Sequence, residues 1–184
     1  MLKRKISNVA ERIKSLSRHH EDNVGVYLSS RVRAEAIEGN TRISELLASG
    51  GVFRTFLPQT ISPQTHHEGI EEAVYRRCVT EIEQAKVTIL MADTYGIDCG
   101  WEIGYAKGKG RAAVAVVGTE KGLHRIREDW MVKGSLDAVM ITDKHIYEIA
   151  SQDVMLRNKS LILVELHELP NALLSIVRGK KRGA

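Results

Sequence analysis

Residues 87–90, VTIL, are a mostly apolar run, and the segment that follows them, residues 91–109, is crowded with acids and glycines. The apolar run predicts a buried β-strand. Asp93, Asp98 and Glu102 all lie in the segment after it. A strand, a tight loop and a helix would place these acids at the carboxyl end of a strand, which is where open α/β sheets bind ligands.

Glu102 is the acid in this segment that best suits a chemical role. We expect the helix to start near Gly100, which puts Glu102 in its first turn. The positive end of the helix dipole favours an ionised carboxylate there, and such a carboxylate suits a nucleophile. The same position is also typical of a glutamate that only stabilises the helix.

The composition favours one globular domain, and we expect neither a metal nor a cofactor. The chain has 184 residues, of which 43% are hydrophobic, and no apolar run is long enough to span a bilayer. Two cysteines, Cys78 and Cys99, are too few for a disulfide framework or a cysteine-rich zinc site. The chain shows no secretory signal, so we expect a reducing, cytoplasmic setting.

Basic residues concentrate at the two ends of the chain, which carries a net charge of +4. We interpret the ends as solvated tails, with weak nucleic-acid binding as the alternative. Residues 1–22 are predicted to be an N-terminal extension with a helix at 6–16, residues 23–178 the main domain, and residues 179–184 a basic tail. His19 and His20 in the extension have no further ligands nearby in sequence and do not indicate a metal site.

The rest of the chain alternates between strand and helix patterns. Strands are predicted at residues 24–28, 52–57, 87–92, 112–117 and 136–141, and helices at 34–47, 68–84 and 144–150. Residues 118–133 are polar and predicted to be irregular. Residues 161–165 and 171–177 fit either a strand followed by a helix or two helices. This order predicts an α/β fold with a parallel sheet of about five strands and helices on both faces. No GxGxxG or Walker A motif is present, which argues against NAD and ATP.

The loop after the first predicted strand carries Ser29, Ser30, Arg31 and Arg33. Two hydroxyls and two guanidinium groups suit a phosphate or a sugar. The alternative is an ordinary polar loop. A second loop, residues 58–69, contains two prolines with His66 and His67, and is predicted to lie over a ligand.

Three segments together resemble the nucleoside 2-deoxyribosyltransferase family. They are VYLSS at residues 26–30, FLPQ at 56–59 and DCGWEIGYAKGKG at 98–110. The third is the most specific, because its acids, its Glu-Ile-Gly-Tyr-Ala helix and the strand after it all match the family's pattern. The resemblance covers residues 24–142.

The resemblance implies a flavodoxin-like, doubly wound fold and transfer of a 2-deoxyribosyl group between nucleobases or to water. It implies that Glu102 is the nucleophile, forming a covalent glycosyl intermediate, and that Tyr27 lies beside it. Asp98 matches the family's sugar-binding aspartate, although its spacing to Glu102 is shorter than usual, so Asp93 is the alternative. The substrate-binding set that follows from the resemblance and the first loop is Ser29, Ser30, Arg31, Arg33, Gln59 and Gly100.

One position departs from the family. An aspartate on the helix before the third strand usually helps to protonate the leaving base, and here that position is Cys78. A cysteine, with an ordinary pKa of about 8.5, is a poor substitute for a carboxylic acid. Either Glu81, Asp93 or a histidine of residues 58–69 supplies the proton, or the activity differs.

Two alternatives to a transferase stay open. Related hydrolases of nucleoside monophosphates carry serine and arginine after the first strand, as this chain does at residues 29–33. A nucleotide-binding or sensing domain without turnover is the other alternative. In every case the expected partner is a small nucleoside or nucleotide, with no membrane and no specific nucleic acid. A homodimer or larger homo-oligomer is expected, in which residues 118–133 approach a neighbouring subunit.

Overall fold

The computed structural model describes residues 23–61 and 70–180. Within them, strands and helices alternate and the strands form one sheet. The predicted helix at residues 6–16 and the histidine pairs His19–His20 and His66–His67 lie outside the described residues.

The sheet has six strands in the described part of the chain. They are β1 (Val24–Ser29), β2 (Phe53–Phe56), β3 (Val87–Met91), β4 (Ala112–Val117), β5 (Ala138–Ile141) and β6 (Ser160–Leu163). Their order is β2-β1-β3-β4-β5-β6, and all neighbouring pairs are parallel. The flavodoxin-like, doubly wound α/β fold is therefore confirmed. The expected count of five strands is one too few, because β6 is a short, partly exposed edge strand whose pattern is weak.

Helices cover both faces of the sheet. Those in the described residues are α1 (Ala34–Ala48), α2 (Ile70–Gln84), α3 (Ile97–Gly108), α4 (Glu120–Glu128), α5 (Trp130–Ser135), α6 (Lys144–Ala150), α7 (Val154–Arg157) and α8 (Leu169–Lys180). Helices α1 and α8 pack on one face, and α2 to α7 pack on the other. Successive side chains of a strand point to opposite faces. Val26 and Leu28 of β1 therefore join the core under α1, whereas Tyr27 and Ser29 face α2 and α3.

Helix α3 begins at Ile97, earlier than the predicted start near Gly100. Gly96 caps it in an extended conformation, and its N–H donates to Cys99 Sγ at 3.3 Å. Sequence patterns for helix starts rely on Ser, Thr, Asp or Asn caps, so this glycine and cysteine pair gave no signal. Glu102 consequently lies in the second turn, and Asp98 is the acid of the first turn.

Most of residues 118–133 lie in helices α4 and α5, so the prediction of an irregular segment is wrong. Thr119 caps α4 by accepting from Gly122 N at 3.1 Å, and Asp129 caps α5 by accepting from Val132 N at 2.9 Å. Leu123 and Ile126 are buried in the core, so they cannot serve a subunit contact, whereas the neighbouring Trp130 and Met131 are exposed.

Asp93 joins the end of β3 to the start of α4. Its Oδ2 accepts from Gly118 N at 2.9 Å, and its Oδ1 accepts from Thr119 N at 3.0 Å and Thr119 Oγ1 at 2.7 Å. A Cβ atom on Gly122 would lie 2.1 Å from Asp93 Oδ1. Gly122 is therefore required by this close approach of α4 to the carboxylate.

No helix in the described residues is long and apolar enough to cross a membrane. Helix α8 runs through Lys180, so the first residues of the expected basic tail are helical. The division into an extension, a main domain and a tail stays a prediction.

We expect Gly122→Ala to lower the free energy of unfolding by about 1–3 kcal/mol, because the new methyl group must displace Asp93. The control is Gly104→Ala in α3, where a Cβ would meet nothing within 4 Å. That change should raise stability by roughly 0.5–1 kcal/mol, since alanine is the better helix former. Urea unfolding of both variants measures the two effects, and an unchanged or raised stability of Gly122→Ala would contradict the assigned contact.

Candidate functional site

The candidate site lies where β1 and β3 end side by side. After β1 the chain passes to α1 on one face of the sheet, and after β3 it passes to α3 on the other. Such a reversal opens a crevice at the carboxyl ends of the two strands. The segments after both strands therefore meet at this crevice.

A buried carboxylate, Glu102 of α3, is the centre of the site. Its side chain is only 7% exposed, and both of its oxygens accept hydrogen bonds from β1. The Tyr27 hydroxyl donates to Oε1, and the Ser29 hydroxyl donates to Oε2 at 2.6 Å. Tyr27 and Ser29 are fully buried and two residues apart on one strand, so they present their hydroxyls on the same face.

Opposing influences act on the protonation of Glu102. Burial raises its pKa, and the charge of Asp98 adds to the rise, whereas the hydrogen bonds from Ser29 and Tyr27 lower it. The net shift is upward. The prediction that the first turn of a helix stabilises the ionised form is therefore wrong, because Glu102 lies in the second turn. The Ser29 and Tyr27 hydroxyls stabilise its charge instead.

Tyr27 is held as a hydrogen-bond donor. Burial raises its pKa far above the ordinary value, and the charge of Glu102 raises it further. Its ring stacks on Phe56 of β2 at 5.6 Å between centroids and packs with Cys78 and Ile82 of α2. These contacts fix the direction in which the hydroxyl points.

Two cysteines flank the carboxylate. Cys78 of α2 packs beside Tyr27, and Cys99 lies one turn before Glu102 on α3. Both are buried free thiols, and burial raises the pKa of each. In the sequence, Cys78 aligns with a residue of the family's site, and Cys78 does lie beside Tyr27 in the structure. The sequence predicted no role for Cys99.

Asp98 lies on the solvent side of Glu102, four residues earlier on α3. It is exposed, and its negative charge acts on Glu102, Cys78 and Cys99. The structure therefore brings Asp98 to the site, at its open edge.

Ser30 and Arg31 also reach the crevice, because the loop after β1 is bound to the loop after β3. The Ser30 and Thr94 hydroxyls lie 2.6 Å apart, and Arg31 N donates to Thr94 O at 3.1 Å. The Arg31 side chain lies against Gly96, whose added Cβ would be 3.7 Å from Arg31 Nε. Arg33 is the exposed N-cap of α1 and has no described contact with this cluster.

Two predicted site residues, Asp93 and Gln59, are engaged elsewhere. Both oxygens of Asp93 accept hydrogen bonds from Gly118 and Thr119, so they are not available to bind a sugar. Gln59 is bound to α1, where its Oε1 accepts from Asn40 Nδ2 at 2.8 Å. Each of these contacts joins segments far apart in sequence, so no local pattern could reveal it.

Gly100 has a packing role. A Cβ there would lie 2.8 Å from Tyr95 Oη, which itself donates to Asp129 Oδ2 at 2.5 Å. Arg125, which sequence reasoning left without a role, donates to the carbonyl oxygens of Asp93 at 3.3 Å and Tyr95 at 3.2 Å. Together these contacts hold the loop from β3 to α3 and so fix the start of the helix that carries Glu102.

Metal ligation is not evident in the part of the chain described. No group of three His, Cys, Asp or Glu side chains there is placed to hold an ion. The site is a carboxylate held by two hydroxyl donors, with a second carboxylate nearer the solvent. Such an arrangement suits nucleophilic attack by Glu102 on an electrophilic carbon.

We expect Tyr27→Phe to raise the pKa of Glu102 further, because one donor to the ionised carboxylate is lost. Titration of the Glu102 Cδ resonance by ¹³C NMR measures the shift. Tyr105→Phe is the control, since that hydroxyl donates to Glu83 at 2.7 Å instead. A lowered or unchanged pKa in Tyr27→Phe, or an equal shift in the control, would contradict the role given to Tyr27.

Comparison with known proteins identifies the family. The sequence model of the nucleoside 2-deoxyribosyltransferase family matches residues 26–166. No curated protein sequence matches the chain.

Two solved structures resemble the fold. The 2-deoxyribosyltransferase of the psychrotolerant bacterium Bacillus psychrosaccharolyticus is 16% identical, with a TM-score of 0.52 over 76% of this chain and 98% of that one. A conserved protein from Enterococcus faecalis V583 is 12% identical, with a TM-score of 0.52 over 84% of this chain and 99% of that one. At these identities the likeness concerns the fold, whereas the family match spans most of the chain, and the protein belongs to the nucleoside 2-deoxyribosyltransferase family.

Proposed function

We propose that the protein cleaves the N-glycosidic bond of a nucleoside or 2-deoxynucleoside and transfers the sugar to another base or to water. The observation that carries the proposal is the buried Glu102 carboxylate, whose two oxygens accept hydrogen bonds from Tyr27 and Ser29. The family match supports the substrate class. Glu102 is the proposed nucleophile.

In the first half of the reaction, an ionised Glu102 oxygen attacks the anomeric carbon C1′. The C1′–N bond breaks, its electron pair stays with the base, and the base takes up a proton. Glycosyl transfer of this kind passes through an oxocarbenium-like transition state, which a nearby carboxylate stabilises. Because Glu102 is buried, its charge acts on the sugar with little screening by water.

In the second half, an acceptor base or water attacks C1′ and the Glu102–sugar ester breaks. The acceptor loses one proton, so the carboxylate is regenerated and the protons balance over the cycle. Two inversions at C1′ retain the configuration of the sugar. Tyr27 and Ser29 position the carboxylate throughout, and both can hydrogen-bond the charge that returns to it.

Glu102→Ala tests this proposal. We expect the turnover of nucleosides to fall by several orders of magnitude in a folded protein, because losing a nucleophile has effects of that size. Glu148→Ala, at an exposed position of α6, is the control and should keep full activity. Mass spectrometry of quenched wild-type enzyme should find the sugar on the Glu102 peptide. Near-normal turnover by folded Glu102→Ala would refute the proposal.

A second candidate function is hydrolysis of nucleoside 5′-monophosphates. The observation that favours it is the position of Arg31, which lies against Gly96 at the start of α3 and makes no ion pair with the described residues. A guanidinium group and the N-terminus of a helix both suit a phosphate. Ser30 stands beside them, bound to Thr94.

Arg31→Ala distinguishes the two functions. A charge-assisted hydrogen bond to phosphate contributes roughly 1.5–3 kcal/mol, so a monophosphate hydrolase should lose about ten- to a hundredfold in kcat/KM for the monophosphate and little for the nucleoside. Arg33→Ala is the matched control, because Arg33 faces solvent at the start of α1. Equal small effects of both variants on both substrates would favour the nucleoside transferase instead.

A binding or sensing domain without turnover is the third possibility. It would bind nucleosides or nucleotides with unchanged affinity in wild type and Glu102→Ala while releasing no free base. The hydrogen-bonded Glu102 favours an enzyme over this possibility, since a simple binding site has no need of a buried carboxylate at its centre.

We also propose that the protein acts as a homodimer or larger homo-oligomer. Trp130 and Met131 support this assembly, because they are 76% and 82% exposed at the start of α5. They border an open surface cavity with a volume of about 540 Å³, which Tyr95 and Asp129 also line. This surface adjoins the loop that fixes α3, so a neighbouring subunit there would lie close to the start of the helix that carries Glu102.

A further inference from the structure

We infer that Asp98 is the acid and base of the reaction, giving a proton to the leaving base and later taking one from the acceptor. This inference rests on the proposed function and names the group that does the work expected of an aspartate at the position of Cys78. It assigns Asp98 to the base, where the resemblance assigned it to the sugar.

Cys78 is poorly suited to give the proton. It is 8% exposed and packs in the apolar cluster of Tyr27, Ile82 and Ala106. Burial raises its pKa, and the charge of Glu102 acts in the same direction. Proton transfer from this thiol would leave a buried thiolate beside a carboxylate, which is costly.

The other acids named as replacements are engaged. Glu81 is 6% exposed and forms a salt bridge with Arg77 at 2.6 Å. Asp93 is bound to the start of α4 through both oxygens. Among the described residues, these contacts leave Asp98 as the acid close to Glu102 that has no engaged partner.

The helix itself sets the distance between Asp98 and Glu102. They are four residues apart on α3, which places their Cβ atoms about 5–6 Å apart on one side of the helix. Retaining glycosidases likewise work with two neighbouring carboxyl groups, one as nucleophile and one as acid and base. The burial of the two groups fits these roles, since Glu102 is 7% exposed and Asp98 faces solvent.

The carboxyl group of Asp98 is free to act. It makes no hydrogen bond or ion pair with the described residues, and it lies close enough to Glu102, Cys78 and Cys99 to interact with them electrostatically. In the first half-reaction the Asp98 carboxylic acid gives its proton to the base nitrogen as the C1′–N bond breaks. In the second half the Asp98 carboxylate takes the proton of the attacking water or base, which restores the acid.

The test compares leaving groups that differ in their need for a proton. The substrates are 2′-deoxyinosine, whose base must be protonated, and 4-nitrophenyl 2-deoxyribofuranoside, whose phenolate leaves unprotonated. In Asp98→Asn we expect kcat/KM for 2′-deoxyinosine to fall about 10²- to 10⁴-fold, the usual contribution of general acid catalysis. For the aryl glycoside it should fall less than tenfold. Retained aryl turnover also demonstrates that the variant is folded.

Azide provides a second readout, because it attacks C1′ without giving up a proton. It should raise the steady-state turnover of the aryl glycoside by Asp98→Asn and yield the glycosyl azide, while leaving the wild type nearly unchanged. Cys78→Ser is the matched control, since a hydroxyl of similar size should not make the rate depend on the leaving group.

The outcomes separate this inference from the proposed function. An equal loss on both substrates in Asp98→Asn would return Asp98 to sugar binding and overturn the inference alone. Unchanged rates on both substrates would overturn it as well. A wild-type protein that acts on neither substrate, and forms no sugar adduct on Glu102, would overturn the proposed function and the inference together.

Discussion

The contact of the Tyr27 and Ser29 hydroxyls with the Glu102 carboxylate is the interaction on which the site depends. It joins β1, the strand at the reversal of the sheet, to α3, the helix that follows β3. A carboxylate in this place needs donors on both oxygens, because a buried charge without partners is strongly disfavoured. The two-residue repeat of a strand supplies both donors from one side of β1, and the sheet order brings α3 above them.

The surrounding structure holds this contact in place from two directions. Phe56 and Cys78 pack around the ring of Tyr27. On the other side, Asp93 and Arg125 tie the loop before α3 to α4, so the helix starts from a fixed point. The residues predicted to bind ligand thus form two groups. Some, such as Ser30, lie at the crevice, whereas others, such as Asp93, hold the surrounding loops in place.

Much of the fold could be predicted from the sequence because buried parallel strands leave strong apolar runs, as at residues 112–117. Helices α4 and α5 were missed because their caps, Thr119 and Asp129, lie in a segment whose polar residues obscure the helical repeat. The start of α3 was misplaced because its cap is Gly96 rather than a hydroxyl or carboxyl side chain. In the site, the resemblance implied that Tyr27 lies beside Glu102, and the two are hydrogen-bonded in the structure, whereas Ser29, predicted to bind substrate, donates to Glu102. The positions of Asp93, Gln59 and Gly100 depend on Thr119, Asn40 and Tyr95, partners that only the tertiary structure supplies.

The upward pKa shift of Glu102 means that its charge works against folding. An acid whose pKa is higher in the folded chain than in the unfolded chain binds protons more readily when folded. Its contribution to stability is therefore complete at a pH below the ordinary glutamate pKa, and it is lost as the pH rises through the folded value. In its ionised form the side chain conflicts with the otherwise apolar surroundings of the core. Folding alone would favour an apolar residue in that position, so the physical reason for a glutamate there has to be sought in chemistry.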